Sequence, residues 1–190
     1  MSGEPAAERA VGAEVRGHCD PRFRPVRDAF AGCFQSLGET GAALAVYFRG
    51  ELVCDLWGGT ADGCCEWQRG TLVMPYSVSK PMAALCCLLL VDRGLLELDS
   101  AVAEYWPEFA QEGKQGCTVR QLLEHRAGVP FVPEGCGLAG LLDAEGLLAK
   151  VAAARPLWPP GATLAEHCLT YGHLCGALVR RAAGQGLGEL

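Results

Sequence analysis

No run of like charges, no C-x-x-C pair and no apolar stretch long enough to cross a bilayer occurs in these 190 residues. Without a charge run, and with a net charge of −6, the chain lacks the electrostatic footprint that binding to nucleic acid or an anionic membrane requires. The eleven cysteines are an odd total and include the adjacent pairs Cys64-Cys65 and Cys86-Cys87, which is no recognisable disulfide framework. They read as reduced thiols used as small hydrophobes. Two metal readings, Cys54 with Cys64 and Cys65, or His167 and Cys168 with His173 and Cys175, have no zinc spacing, so neither a metal nor a cofactor is expected. The longest strongly apolar run, Met82 to Val91, is too short to span a membrane. The N-terminal "MSGEPAAERAVGAEVRGHCD" carries Glu4, Glu8 and Glu14 around no apolar centre, unlike a secretory signal or transit peptide. The expectation is a soluble cytoplasmic protein.

Serine and lysine are also scarce, at five and three residues, yet "YSVSKPMAALCCLLLVDRG" sets Ser77 and Lys80 three apart where an apolar helix begins. Composition alone predicts about 0.08 S-x-x-K matches by chance in such a chain. At that spacing the two side chains share one face of a helical turn, within hydrogen-bond reach. A serine hydroxyl needs a base, and lysine can serve only where burial or nearby positive charge lowers its pKa from an unperturbed ~10.4. The helix start adds unpaired N–H groups that favour developing negative charge. The plainer alternative is a capping serine, Ser77 or Ser79, beside an incidental lysine.

With 50% hydrophobic and 20% charged residues, the composition is that of a single globular domain. Val26, Phe30, Cys33 and Phe34 recur at helical spacing and stop at Gly38. "AALAVYF" and "ELVCDLW" then form a hairpin about Arg49-Gly50, with apolar residues on both faces. Helices are expected over Lys80 to Arg93, Val119 to Arg126, Leu138 to Ala154 and Thr170 to Ala183. The first of these is apolar nearly all round and reads as a buried central helix.

The segments "AVYFRGELVCDLWGGTAD", "YSVSKPMAALCCLLLVDRGLLELDSAVAEYWPEF", "TVRQLLEHRAGVP" and "WPPGATLAEHCLTYGHLCGALVRRAAGQGLGEL" together resemble the serine β-lactamase-like proteins. That family comprises class C β-lactamases, penicillin-binding proteins and β-lactamase-fold esterases. The resemblance implies a mixed α/β (α+β) fold, with residues 1–20 as a tail and 21–190 as a partial domain. It implies that Ser77 is the acylated nucleophile and Lys80 its proton acceptor. By the same match His125 falls at a structural position, while Asp99 reads as a turn cap.

Two departures from the family pattern bear on activity. Counting forward from Pro160-Gly161 and back from Gly172, the family's catalytic tyrosine position holds Glu166. Tyr171 lies five residues later and is not assumed to replace it. A carboxylate beside Lys80 would hold that lysine charged and oppose its role as a base. The family's third motif, a K-T-G or H-x-G strand, has no counterpart before Leu190, so the sequence reads as an N-terminal half that is a fragment, splice form or incomplete gene model. The expected function is serine hydrolysis of esters, amides or peptides, impaired in this chain. The alternative is an inactive binding protein or a product without a role. Self-association through an uncovered sheet edge is also expected.

Overall fold

A computed structural model describes residues 13–190, in two units that meet at Met74 and Pro75. The first holds strand β1 (Arg16–Cys19), helix α1 (Arg24–Ser36) and strands β2 (Gly41–Phe48) and β3 (Glu51–Gly59). The strands form an antiparallel sheet in the order β1-β3-β2. Arg49 and Gly50 both take positive φ, 52° and 85°, which gives a two-residue turn matching the twist of the strands it joins. Val53, Cys54 and Leu56 of the central strand are buried, and a register shift after Val46 leaves Val53 without a facing partner. Phe34 of α1 is buried and meets Phe30 edge-on at 5.4 Å.

The helix and hairpin expected from sequence are present. β1 is an addition, because Arg16–Cys19 lies within the segment read as a tail. Residues 1–12 of that segment lie outside the described residues. Strand β1 carries Gly17 at position two and is too short to show an alternating pattern, so nothing in its residues marked it as sheet.

The second unit is helical: α2 (Ser79–Asp92), α3 (Val102–Tyr105), α4 (Val119–Leu123), α5 (Gly137–Leu142), α6 (Ala144–Ala153) and α7 (Tyr171–Ala183). A core of Leu90, Trp106, Phe109, Leu122, Leu147, Leu174 and Leu178 holds it together, with α2 packed on α7. Helix α2 is covered on one face. Ala83, Cys87 and Leu90 face the core, whereas Met82 and Leu85 are 60% and 56% exposed. An apolar surface on every side does not by itself bury a helix.

Three local details also depart from expectation. The helix read over Leu138 to Ala154 breaks at Asp143, whose carboxylate accepts the Gly146 N–H at 3.1 Å and starts α6. Helix α4 ends at Leu123, just before His125 takes φ of 60°. Asp99 caps no turn and grips Arg120 through both carboxylate oxygens, at 2.8 and 3.0 Å, which holds its carboxyl below the usual range. Lys114, fully buried, donates to the Gln111 and Ala154 carbonyls and lies over the Phe109 ring. Among the described residues no helix is long and apolar enough to cross a membrane.

Gly128 joins the segment after α4 to the one before α7. It has φ of 82°, its carbonyl accepts the Leu157 N–H, and a Cβ there would lie 2.5 Å from the Trp158 carbonyl oxygen. Gly128→Ala is therefore expected to cost about 1–3 kcal/mol. Thermal unfolding measures it, and an unchanged midpoint would contradict the packing described.

Candidate active site

Ser77 lies in a 3₁₀ turn, Tyr76–Val78, that leads directly into α2. Tyr76 takes φ of 45°, which a side chain with a Cβ tolerates poorly, and the Ser79 hydroxyl donates to the Tyr76 carbonyl to hold the turn. The Ser77 hydroxyl is thereby presented at the start of α2 while Lys80 stands one turn further along the helix. Lys80 Nζ is 2.7 Å from Ser77 Oγ and 3.1 Å from Glu166 Oε1. The lysine side chain is largely enclosed, 14% exposed, and the glutamate is 61% exposed. The ammonium therefore bridges the hydroxyl and the carboxylate.

Glu166 reaches this point from the segment between α6 and α7, and His125 is what holds it there. The residues on either side of Glu166 both bond to His125: the Ala165 N–H donates to its carbonyl at 3.2 Å, and the His167 N–H donates to its Nδ1 at 3.0 Å. His167, fully buried, accepts the Val129 N–H on Nε2 at 3.2 Å and donates from Nδ1 to the Ala165 carbonyl at 2.9 Å. These bonds assign the tautomers, because a nitrogen that accepts an N–H carries no proton. Arg126 closes the segment at its other end, accepting the Gly161 N–H on its carbonyl and donating to the Gly161 carbonyl.

His125 also stacks on Tyr171, ring centres 4.2 Å apart, and the Tyr171 hydroxyl donates to the Leu123 carbonyl at 3.1 Å. Tyr171 is 3% exposed, and burial pushes its phenol up. Its hydroxyl supports α4 and is turned to that carbonyl.

Of the residues singled out from sequence, Ser77, Lys80 and Glu166 come together and His125 stands behind them. Sequence reading assigned His125 to structure without finding what it supports. It missed Arg126 and His167 as the other supports. Adjacency of His167 to Glu166 was the one signal available, but a backbone clamp between distant segments leaves no spacing pattern. Among the described residues, Asp62, Cys64 and Cys65 form the one group of three metal-ligating types within 4.8 Å, and all three are exposed. Cys54 is not in that group, and His167 uses both ring nitrogens on the backbone.

Comparison with known proteins gives consistent matches. Residues 26–190 match a family model described as Beta-lactamase. The chain is 40% identical over 177 residues to the esterase/β-lactamase LipL of Mycobacterium tuberculosis, covering 92% of this chain and 41% of that protein. It is 33% identical over 166 residues to esterase EstB of Burkholderia gladioli, covering 77% and 42% respectively. Among solved structures, a family VIII carboxylesterase superposes with a TM-score of 0.87 at 42% identity, over 93% of this chain and 49% of that one. A penicillin-binding protein homologue from Caulobacter crescentus gives 0.86 at 40% identity, over 93% and 48%. The chain thus spans about half the length of the relatives it matches.

The clamp carries a pH dependence. Burial is the largest cause that lowers His125 and His167 below the ordinary ~6.5; the Glu166 charge opposes this at His125, and the Lys80 charge adds to it. As pH falls through about 6.5 the unfolded chain takes up protons that the folded histidines refuse, so stability is present above that pH and lost below it. The unfolding midpoint should drop between about pH 7.5 and pH 5.5, and His125→Gln should weaken the drop. A midpoint that rises on acidification would contradict the neutral-histidine clamp.

Proposed function

Because the chain belongs to the β-lactamase family, we propose that it is a serine hydrolase for small esters or amides, acting through an acyl-Ser77 intermediate, with turnover held low by Glu166. The observation that carries the reading is the 2.7 Å contact between Lys80 Nζ and Ser77 Oγ at the start of α2. In acylation, Lys80 takes the hydroxyl proton as Oγ adds to the carbonyl carbon, and collapse of the tetrahedral adduct expels the alcohol or amine with that proton. Water then attacks the acyl-serine by the same route in reverse. The esterase names of the relatives support ester substrates ahead of others.

Glu166 opposes the first of these steps. An ammonium paired with a carboxylate has no lone pair to offer, and it donates to Ser77 Oγ where a base would have to accept. The same position in the family pattern is a tyrosine, which brings no fixed negative charge. A fluorophosphonate probe should therefore label the chain slowly, and Ser77→Ala not at all. Glu166→Tyr should label at least about tenfold faster than the native chain, as expected when a general base is released. Equal rates for the glutamate and tyrosine versions would overturn the role given to Glu166.

The reading extends to self-association. Among the described residues, strands β1 and β2 each pair on one side only, β2 exposes Tyr47 and Phe48, and α2 exposes Met82 and Leu85. Light scattering on the purified chain should give a mass above the 20.1 kDa of one copy. A monodisperse monomer that binds no apolar dye would contradict it.

A further inference from the structure

Cys19 and Cys54 face each other across β1 and β3 as direct partners in the register, with their sulfurs 3.5 Å apart. The next pair along is joined by the Asp20 N–H donating to the Val53 carbonyl at 2.8 Å, so the cysteines fall between ladder hydrogen bonds. Facing Cα atoms at such positions are about 4.5 Å apart, within the ~4.4–6.8 Å that a disulfide spans. The backbone therefore need not move, and a small χ1 rotation brings the sulfurs to bonding distance. The two thiols also differ in access, since Cys54 is fully buried and Cys19 is half-buried at the sheet edge.

We propose that Cys19 and Cys54 form a reversible disulfide that staples edge strand β1 to the central strand of the sheet. Among the described residues strand β1 has four residues and one neighbouring strand, with the Arg16–Glu66 ion pair and the Arg27 bond to the Val15 carbonyl as its further ties. The bond closes a loop of 35 residues that contains α1 and β2. A cross-link of that span restricts the unfolded chain strongly and stabilises the first unit.

The oxidant is a low-molecular-weight disulfide. The Cys19 thiolate attacks one of its sulfurs, forms a mixed disulfide and releases one thiolate. Cys54 then loses its proton and attacks Cys19 Sγ; the new Sγ–Sγ bond forms as the mixed disulfide breaks and the second small thiol leaves. Two protein thiols are oxidised and one disulfide is reduced to two thiols. Burial pushes the Cys54 thiol up and keeps it from solvent, so the more accessible Cys19 is the thiol that meets the small disulfide first. No hydrolase chemistry enters, so the proposal stands apart from Ser77.

The test incubates the full chain with oxidised glutathione, blocks the remaining thiols by alkylation and maps peptides by mass spectrometry. The expected result is a cross-linked pair containing Cys19 and Cys54, about 2 Da lighter than the two free peptides, as disulfide formation requires. Dithiothreitol should reverse it, and Cys19→Ser or Cys54→Ala should abolish it. Oxidation should raise the unfolding midpoint of the native chain by about 5 °C or more and leave that of Cys19→Ser unchanged. Bridging confined to other cysteines, such as the exposed Cys64 and Cys65 with sulfurs 3.9 Å apart, would overturn the proposal. So would a Cys19–Cys54 link without the midpoint shift.

Discussion

Lys80 has one ammonium group and two oxygens within reach, Ser77 Oγ at 2.7 Å and Glu166 Oε1 at 3.1 Å. In the function proposed above, the carboxylate is the partner that keeps the lysine from acting as a base. The surrounding residues act on that competition. The 3₁₀ turn presents the hydroxyl, helix α2 sets the lysine one turn on, and the His125 clamp brings the carboxylate in from the far side.

The site is expensive locally. Of the four described residues other than glycine with positive φ, Tyr76 directly precedes Ser77 and His125 holds the residues flanking Glu166. Such backbone costs on the order of 1–3 kcal/mol per residue and persists where the surroundings enforce it. Here the enforcement is visible as hydrogen bonds: the Ser79 hydroxyl on the Tyr76 carbonyl, the Ala165 and His167 N–H groups on His125, and the Tyr171 ring beneath His125. Glu166 is thus held beside Lys80 by the bonds that the residues on either side of it make to His125.

The sequence made the local parts of this picture readable and the distant ones unreadable. Ser77 and Lys80 stand out because a three-residue spacing is a helical turn, and the hairpin stands out because Arg49-Gly50 separates two β-rich runs. Glu166 emerged by counting from Pro160-Gly161 in a resembled pattern; its approach to Lys80 depends on a clamp whose His167–His125 bond spans 42 residues of sequence. β1 was missed because four residues show no periodicity, and which face of the all-apolar α2 meets the core was not legible because its apolar residues point to every side. Asp99 looked like a cap because aspartate favours turns, whereas its partner Arg120 lies 21 residues on.

The most direct measurement of the central claim is neutron diffraction on deuterated crystals at neutral pH, which locates hydrogens on Lys80 Nζ and Ser77 Oγ. The account predicts a fully deuterated ammonium, one deuteron aimed at Ser77 Oγ and another at Glu166 Oε1, with the Ser77 deuteron directed elsewhere. A Lys80 nitrogen that lacks its third deuteron and accepts the one from Ser77 Oγ would contradict the claim that Glu166 holds the base out of action.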